Sequence, residues 1–368
     1  MLRIAARAAS ALALASALAL TLTTPALADP PQPAATDIVG VGAGMTAALF
    51  NQYSTDYNAF LTAAGNTTSP RLYSWDPTGS SQIITKTGAT QIPRPERGAD
   101  GIIALNMTTN STVDFARAAR YPRWDDPVTD LFVAMAKDSV SWAAPAGGNA
   151  PADLTTRDLS DIYNCRVTNW KQINSALPDA TIVPVLAGHF VVNQYGVDGY
   201  ADDSSGFFLG AIKYPPAGSA GGEDRSCVRT VVRGDQGTDA LLHDPNAIVP
   251  YSVGRYVGQV YGGHTRPGDD AGVLTIRGID GIAAVDAAHQ MSSSFVNTTY
   301  GRLLYNVVRE GDWNSGTPRG TALRAIFGPT GWICKNAAAS ATLRSHGFRL
   351  LPVGACGSSI HSSGFPIQ

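Results

Sequence analysis

The stretch "DIVGVGAGMTAALFNQYSTDYNAF" (37–60) decides the fold class. Asp37–Gly42 reads as a strand, the glycines as a tight turn, and Met45 to Phe60 as an amphipathic helix with apolar residues at helical spacing. A strand feeding a helix through a glycine turn is the unit of layered α/β folds. Outward from this unit the pattern repeats. "RLYSWDP" (71–77) reads as a second strand, "GADGIIAL" (98–105) as a short helix, and "TVDFARAAR" (112–120) as a short strand and turn. "DLFVAMAKDSVSWAAP" (130–145) suits one long strand. "LTTRDLSDIYNCRVTNW" (154–170) suits a helix capped by Thr155 or Thr156, with Leu159, Ile162 and Tyr163 on one face. Strands are expected at 180–192 and 271–280 and at the end of 292–310. A strand turning into a helix is expected at 246–260, and a helix with its exit at 317–336. In "YADDSSGFFLGAI" (200–212), Asp202, Asp203, Ser204, Ser205 and Gly206 precede an apolar run and mark a helix start. Such a start either caps itself or cradles an anion, and two aspartates beside it oppose an anion.

The chain has 368 residues, 44% of them hydrophobic and 15% charged, with a net charge of −2. That is ample for a large core, and no basic stripe points to nucleic acid. "MLRIAARAASALALASALALTLTTPALADP" (1–30) has a basic start, an Ala/Leu run and Ala26-Leu27-Ala28. It reads as a secretory signal peptide over 1–28, cleaved after Ala28 with no lipid anchor, followed by a Pro-rich leader over 29–36. The protein is therefore expected outside the membrane. Four cysteines (Cys165, Cys227, Cys334 and Cys356) then suit disulfides, since exported chains keep them. Three connectivities exist. The local one, Cys165–Cys227 with Cys334–Cys356, closes the shorter loops and is preferred. No spacing of His or Cys suits a metal, and no cofactor is expected.

Several of these segments together resemble the PstS-type phosphate-binding proteins. They are "VGAGMT" (41–46), "DLTTRDLSDIYNCRVTNWKQI" (153–173), "NAIVPYSVGRY" (246–256) and "RLLYNVV" (302–308). The cysteine-bearing "FGPTGWICKN…GACGS" end looks like a secreted actinobacterial branch of that family. The resemblance implies an α/β type 2 periplasmic-binding-protein fold: two lobes joined by two crossovers, with a ligand between them. Lobe I would comprise 37–142 and 250–368, and lobe II 143–249. It also implies a monomer that binds a small anionic solute, phosphate in the family, and serves an ABC transporter.

Carried over position by position, the family's phosphate grip is altered. The first turn keeps Gly44, Met45 and Thr46, but Ala47 replaces an aromatic residue. The second, a serine-bearing helix start in the family, is "RGADG" (97–101). At the third, the family's aspartate falls at about Ala119, with Arg117 and Arg120 nearby. The fourth loses its arginine at about Gly199 and keeps only Ser204, Ser205 and Gly206. The expected ligand set is thus Gly44, Met45, Thr46, Arg117, Ser204, Ser205 and Gly206. Losing charge-assisted contacts to an oxyanion, each worth about 1.5–3 kcal/mol, predicts weakened orthophosphate binding. His189 and Asp198 near the cleft have no triad or metal spacing, so catalysis is not expected. Two rival readings remain: a secreted phosphatase-like relative, and an extracellular interaction protein with a vestigial cleft.

Overall fold

The buried run Ile38–Gly42 becomes β1 because β-branched residues at 38, 39 and 41 suit a strand covered on both faces. Gly42 ends it at φ +104, and a Cβ there would lie 2.8 Å from the Arg117 carbonyl, so only glycine makes this turn. A 3-10 turn over Gly44–Thr46 leads into helix α1 (Ala47–Ala63). Leu49, Phe50, Tyr53, Tyr57 and Leu61 on its inner face are buried. This computed structural model describes residues 29–107, 112–193, 196–213, 226–266 and 268–362, with the side chains of 189–200 left aside. The expected signal peptide, most of the polar loop 214–227, and the side chains of His189 and Asp198 lie outside the described residues.

The chain continues through β2 (Leu72–Ser74), α2 (Gly98–Leu105), β3 (Phe115–Ala118) and the long β4 (Asp130–Pro145). Next come α3 (Thr156–Tyr163), β5 (Val183–Asn193), α4 (Asp203–Ala211), β6 (Arg229–Val231) and β7 (Ala247–Ser252). It closes with α5 (Val253–Val260), β8 (Leu274–Ile276), β9 (Gly301–Arg309), α6 (Pro318–Phe327) and α7 (Ala337–Ser345). Every strand and helix expected from the sequence is present, with one shortening. The helix at 154–170 stops at Tyr163 because Cys165 adopts φ +55; a separate turn, Trp170–Ile173, starts on an Asn169 cap. Thr155 is the cap of α3, and Leu159, Ile162 and Tyr163 are its buried face.

The main sheet runs β6-β5-β7-β4-β9-β3-β1-β2. β1 is parallel to β2 and β3, and β7 and β6 are parallel to β5. β9 lies antiparallel between β3 and β4. β4 belongs to both halves: residues 130–139 pair with β9, and 140–143 pair with β7. The two halves are the two lobes of a periplasmic-binding-protein fold. In lobe I, α1, α6 and α7 cover one sheet face, with Phe50, Phe115, Phe327 and Trp332 at the centre. Lobe II is centred on Trp142, Tyr163, Trp170 and Phe208.

The expected lobe boundaries need correction. Lobe II does not end at 249: Tyr251, Val253, Tyr256, Val257 and Ala271 pack in its cores, and residues 274–300 do not stay with lobe I either. β8 pairs with 143–145 at the far end of β4, and Ile279, Met291, Phe295 and Tyr300 join the second core. That end of β4 offers a strand edge that β9 does not reach, and the apolar side chains following β8 are buried only there. The Pro-rich leader is also more than a leader. Asp29 accepts two hydrogen bonds from Arg94 (2.7 and 2.8 Å), and the Pro33 carbonyl accepts one from the Thr87 N–H (2.8 Å), lacing 29–36 to lobe I.

Both disulfides have the expected pairing: Cys165–Cys227 (Cα–Cα 5.8 Å) and Cys334–Cys356 (5.6 Å). Among the described residues, no helix is long and apolar enough to cross a membrane.

Candidate ligand-binding cleft

Three helix starts meet where the lobes face each other. Gly44 and Met45 come from the turn before α1, Arg97 from the start of α2, and Asp202 and Asp203 from the start of α4. They border a cavity of about 70 Å³, room for a few water-sized groups. The "RGD" loop after β6 (Arg233, Gly234, Asp235) and Arg255 of α5 complete it with Glu96 and Asp269. Free N–H groups and the positive dipole ends of helices favour an anion here. Five carboxylates against three arginines oppose it.

The arginines are largely engaged. Arg97 donates to Asp100 (2.9 and 2.6 Å). Asp100 chiefly, with the charges of Asp203 and Glu96 adding, holds the Arg97 guanidinium above its ordinary pKa. Arg255 pairs with Asp269, which also receives Arg266 (2.9 Å). Arg266 reaches across to Asp76 of lobe I (2.5 Å). Arg233 donates to the Gly268 carbonyl (3.1 Å).

The expected ligand set divides sharply. Gly44 and Met45 do border the cavity. Thr46 is buried and does not cap α1; its hydroxyl donates back to the Ala43 carbonyl (3.1 Å). Arg117, expected as an anion contact, is instead inside lobe I. It donates to Gly42 O (2.6 Å), Ser74 Oγ (2.5 Å) and Trp75 O (3.2 Å), and burial lowers its pKa to about 10. Pairing of Gly42 with Arg117 across β1 and β3 puts this side chain under the first turn, where it props the loop. Arg120 is held bidentate by Asp126 (2.7 and 2.6 Å), and Ala119 is buried.

Ser204 and Ser205 begin α4, as expected, but neither faces the cavity. The Ser205 hydroxyl accepts the Ala187 N–H (3.0 Å), and the Ser204 hydroxyl donates to Asp235 (2.8 Å). Gly206 lies one turn further in and does not border the cavity. The cap of α4 is Asp202, which accepts the Ser205 N–H at 2.7 Å. The half-buried Phe207 and Leu209 and the fully buried Phe208 anchor the helix in the second core. Asp202 borders the cavity and is half-buried. Burial, then the charge of Asp235, pushes its pKa up to about 7. Burial also raises Asp235, against the opposing charge of Arg302.

Arg302, at the head of β9, was not anticipated as a site residue. Fully buried, it pairs with Asp138 (2.8 Å) and donates to the Asp203 carbonyl (2.8 Å), Ser204 Oγ (3.0 Å) and Met45 Sδ (2.9 Å). Asp138 also accepts from Ser252 Oγ (2.9 Å) and the Gly254 N–H (3.0 Å). Asp138 lies on β4 beside the point where its pairing passes from β9 to β7, and Ser252 ends β7 opposite Val140, so Arg302 ties this junction of the lobes to both helix starts. The signal in the sequence was a lone arginine opening the apolar run "RLLYNVV".

A larger cavity of about 750 Å³ lies beside α1, under Pro30 and Pro31, away from the cleft. Several of its polar side chains are spent locally, such as Asn58 on Leu72 and Gln52 on Asp56. Among the described residues, no group of His, Cys, Asp and Glu could hold a metal ion.

By sequence the chain matches no protein-family model and no curated protein. Solved structures share its fold. An ABC-type phosphate transport receptor from Vibrio cholerae aligns over 86% of this chain and 100% of its own, at 13% identity and TM-score 0.53. A putative phosphate ABC transporter substrate-binding protein from Clostridium perfringens, with bound phosphate, aligns over the same shares at 16% identity and TM-score 0.54. At such identities the likeness establishes the architecture: this chain has the two-lobe fold of periplasmic binding proteins.

Proposed function

We propose that this chain is an exported solute-binding protein, freed of residues 1–28. It closes its two lobes by hinge motion on a small oxyanion, which it holds chiefly through backbone N–H groups. One observation carries this reading: the starts of α1, α2 and α4 converge from both lobes on one small cavity bordered by Arg97, Arg233 and Arg255. The printed names of the structural neighbours, phosphate receptors for ABC transporters, support the same ligand class and an ABC transporter as partner. The protein acts as a monomer and makes no covalent bond to its ligand. The hydroxyls of Ser204 and Ser205 are spent on Asp235 and Ala187, which argues against either as a phosphatase nucleophile. Orthophosphate binds weakly, because five carboxylates border the cavity.

Non-denaturing mass spectrometry of protein purified from its native host tests the reading. A fraction of molecules heavier by one small anion is expected, and acid denaturation should release it. Protein found only at its bare polypeptide mass, and giving no heat with phosphate, sulfate or small carboxylates, would overturn it.

A further inference from the structure

One carboxylate in the cleft differs from the rest. Asp203 stands at the first position of α4 in lobe II, but its side chain points across the gap. Its Oδ2 accepts the Gly98 N–H, the first orphan donor of α2 in lobe I, at 3.3 Å. The absence of a side chain at Gly98 admits it: a Cβ there would stand 2.9 Å from that oxygen. The position is anchored from behind, because Arg302 holds the Asp203 carbonyl at 2.8 Å. The neighbouring aspartate does a different job. Asp202 also borders the cavity, but its carboxylate stays within its own lobe, where it caps α4 and packs so closely on Gly234 that a Cβ there would meet it at 1.9 Å.

We infer that Asp203 is a built-in anion. It occupies the α2 start in place of a free oxyanion and sets the affinity of the cleft by competing with any oxyanion that enters. The inference rests on the solute-binding reading above and names the residue that tunes it. A helix start accepts one anion at close range, and a tethered carboxylate is present at an effective concentration that a free ion must overcome. An incoming anion must either displace Asp203 from Gly98 or sit beside its charge. Removing the carboxylate does two things: it frees the N–H and removes a like charge. Removing Asp202 does neither at this donor.

The test is isothermal titration with inorganic phosphate at low ionic strength, on wild type and on Asp203→Ala, Asp203→Asn and Asp202→Asn. Asp203→Ala should bind phosphate about tenfold more tightly than wild type or better, which is the effect of one charge-assisted contact. Asp203→Asn, which keeps the shape and loses the charge, should fall between the two. Asp202→Asn, which lowers the negative charge of the cavity but frees no N–H of α2, should gain less than Asp203→Asn. The main-chain bond from Arg302 survives either change at Asp203, and the asparagine variant guards against a folding defect in the alanine one. If neither Asp203 variant gains affinity, the inference fails. Wild-type affinity below about 1 µM would also refute it, because no competitor would then be operating, yet would leave the solute-binding reading standing. If phosphate and sulfate bind to none of the four proteins, the inference is again refuted. The solute-binding reading is then decided separately, by the mass measurement on native protein.

Discussion

The two walls of the cleft are built from the same parts and dress them differently. On the lobe I wall, the turn before α1 and the start of α2 present main chain. Gly44 and Met45 border the cavity, and Gly98 offers an N–H with nothing of its own side chain in the way. On the lobe II wall, the start of α4 hides its hydroxyls and shows carboxylates. Ser204 and Ser205 serve Asp235 and Ala187, while Asp202 and Asp203 border the gap. The contrast teaches that a helix start is an anion site only in what it leaves unpaired. The dipole is present on both walls, but on the second the protein has already supplied the negative charge.

The largest expected effect comes from breaking what holds the second wall in place. Arg302→Met removes the guanidinium that joins Asp138, Ser204 and the Asp203 carbonyl, and leaves Asp138 fully buried without its countercharge. Truncating one partner of a buried pair costs about 3–5 kcal/mol. Urea unfolding should show a loss of that order. A loss under about 1 kcal/mol would mean that water already reaches this pair and that the junction of the lobes is not organised around it.

Proton binding sharpens the contrast next. Asp202, on the second wall, is pushed up to about 7 by burial and by the charge of Asp235. The folded protein therefore keeps this proton at pH values where the unfolded chain has released it. The stabilising contribution is whole at low pH, shrinks as pH rises from about 4 to about 7, and is gone above. Asp202→Asn removes the titration and keeps an oxygen to cap Ser205. Relative to wild type it should gain about 1–2 kcal/mol between pH 5 and pH 8, read from urea midpoints. An identical difference at both pH values would show that the carboxylate is solvated in the cleft. The comparison with wild type is needed because His346, lowered to about 4 by burial and by His264, titrates with the opposite sign across the same range.

The smallest effect is expected at the edge of the first lobe. Asp29 is one-third exposed, and Arg94 keeps bonds to the Asp76 and Ser80 carbonyls without it. Asp29→Ala should cost about 1 kcal/mol or less in urea unfolding and leave phosphate titration unchanged. A change in ligand affinity would connect the laced leader to the cleft and blur the distinction between the walls.

What the sequence showed follows the range of the interactions. The glycine turn after β1, the Thr155 cap and the unbroken apolar run of β4 are local, and each was legible. Both disulfide pairings agree with the preference for the shorter loops among three possible connectivities. The return of 274–300 to the second core was not legible, because the edge it needs is created by β4, far away in sequence. Arg117 was misjudged for a similar reason. Its nearness in sequence to a family ligand position said nothing of β1, whose pairing turns it under the first loop. Arg302 and Asp138 lie 164 residues apart and acquire a role only when the lobes come together. The opening of α4 was legible as a helix start. Which of its four polar side chains would face the gap was not, because that depends on Ala187, Asp235 and Gly98, each on a different segment.

The most direct measurement of the central claim is a pair of crystal structures, wild type without added anion and Asp203→Ala soaked in phosphate. The account predicts the Asp203 carboxylate within hydrogen-bonding distance of the Gly98 N–H in the first, and a phosphate oxygen at that N–H in the second. An Asp203 side chain turned to solvent in wild type, with phosphate absent from the α2 start in the variant, would contradict it.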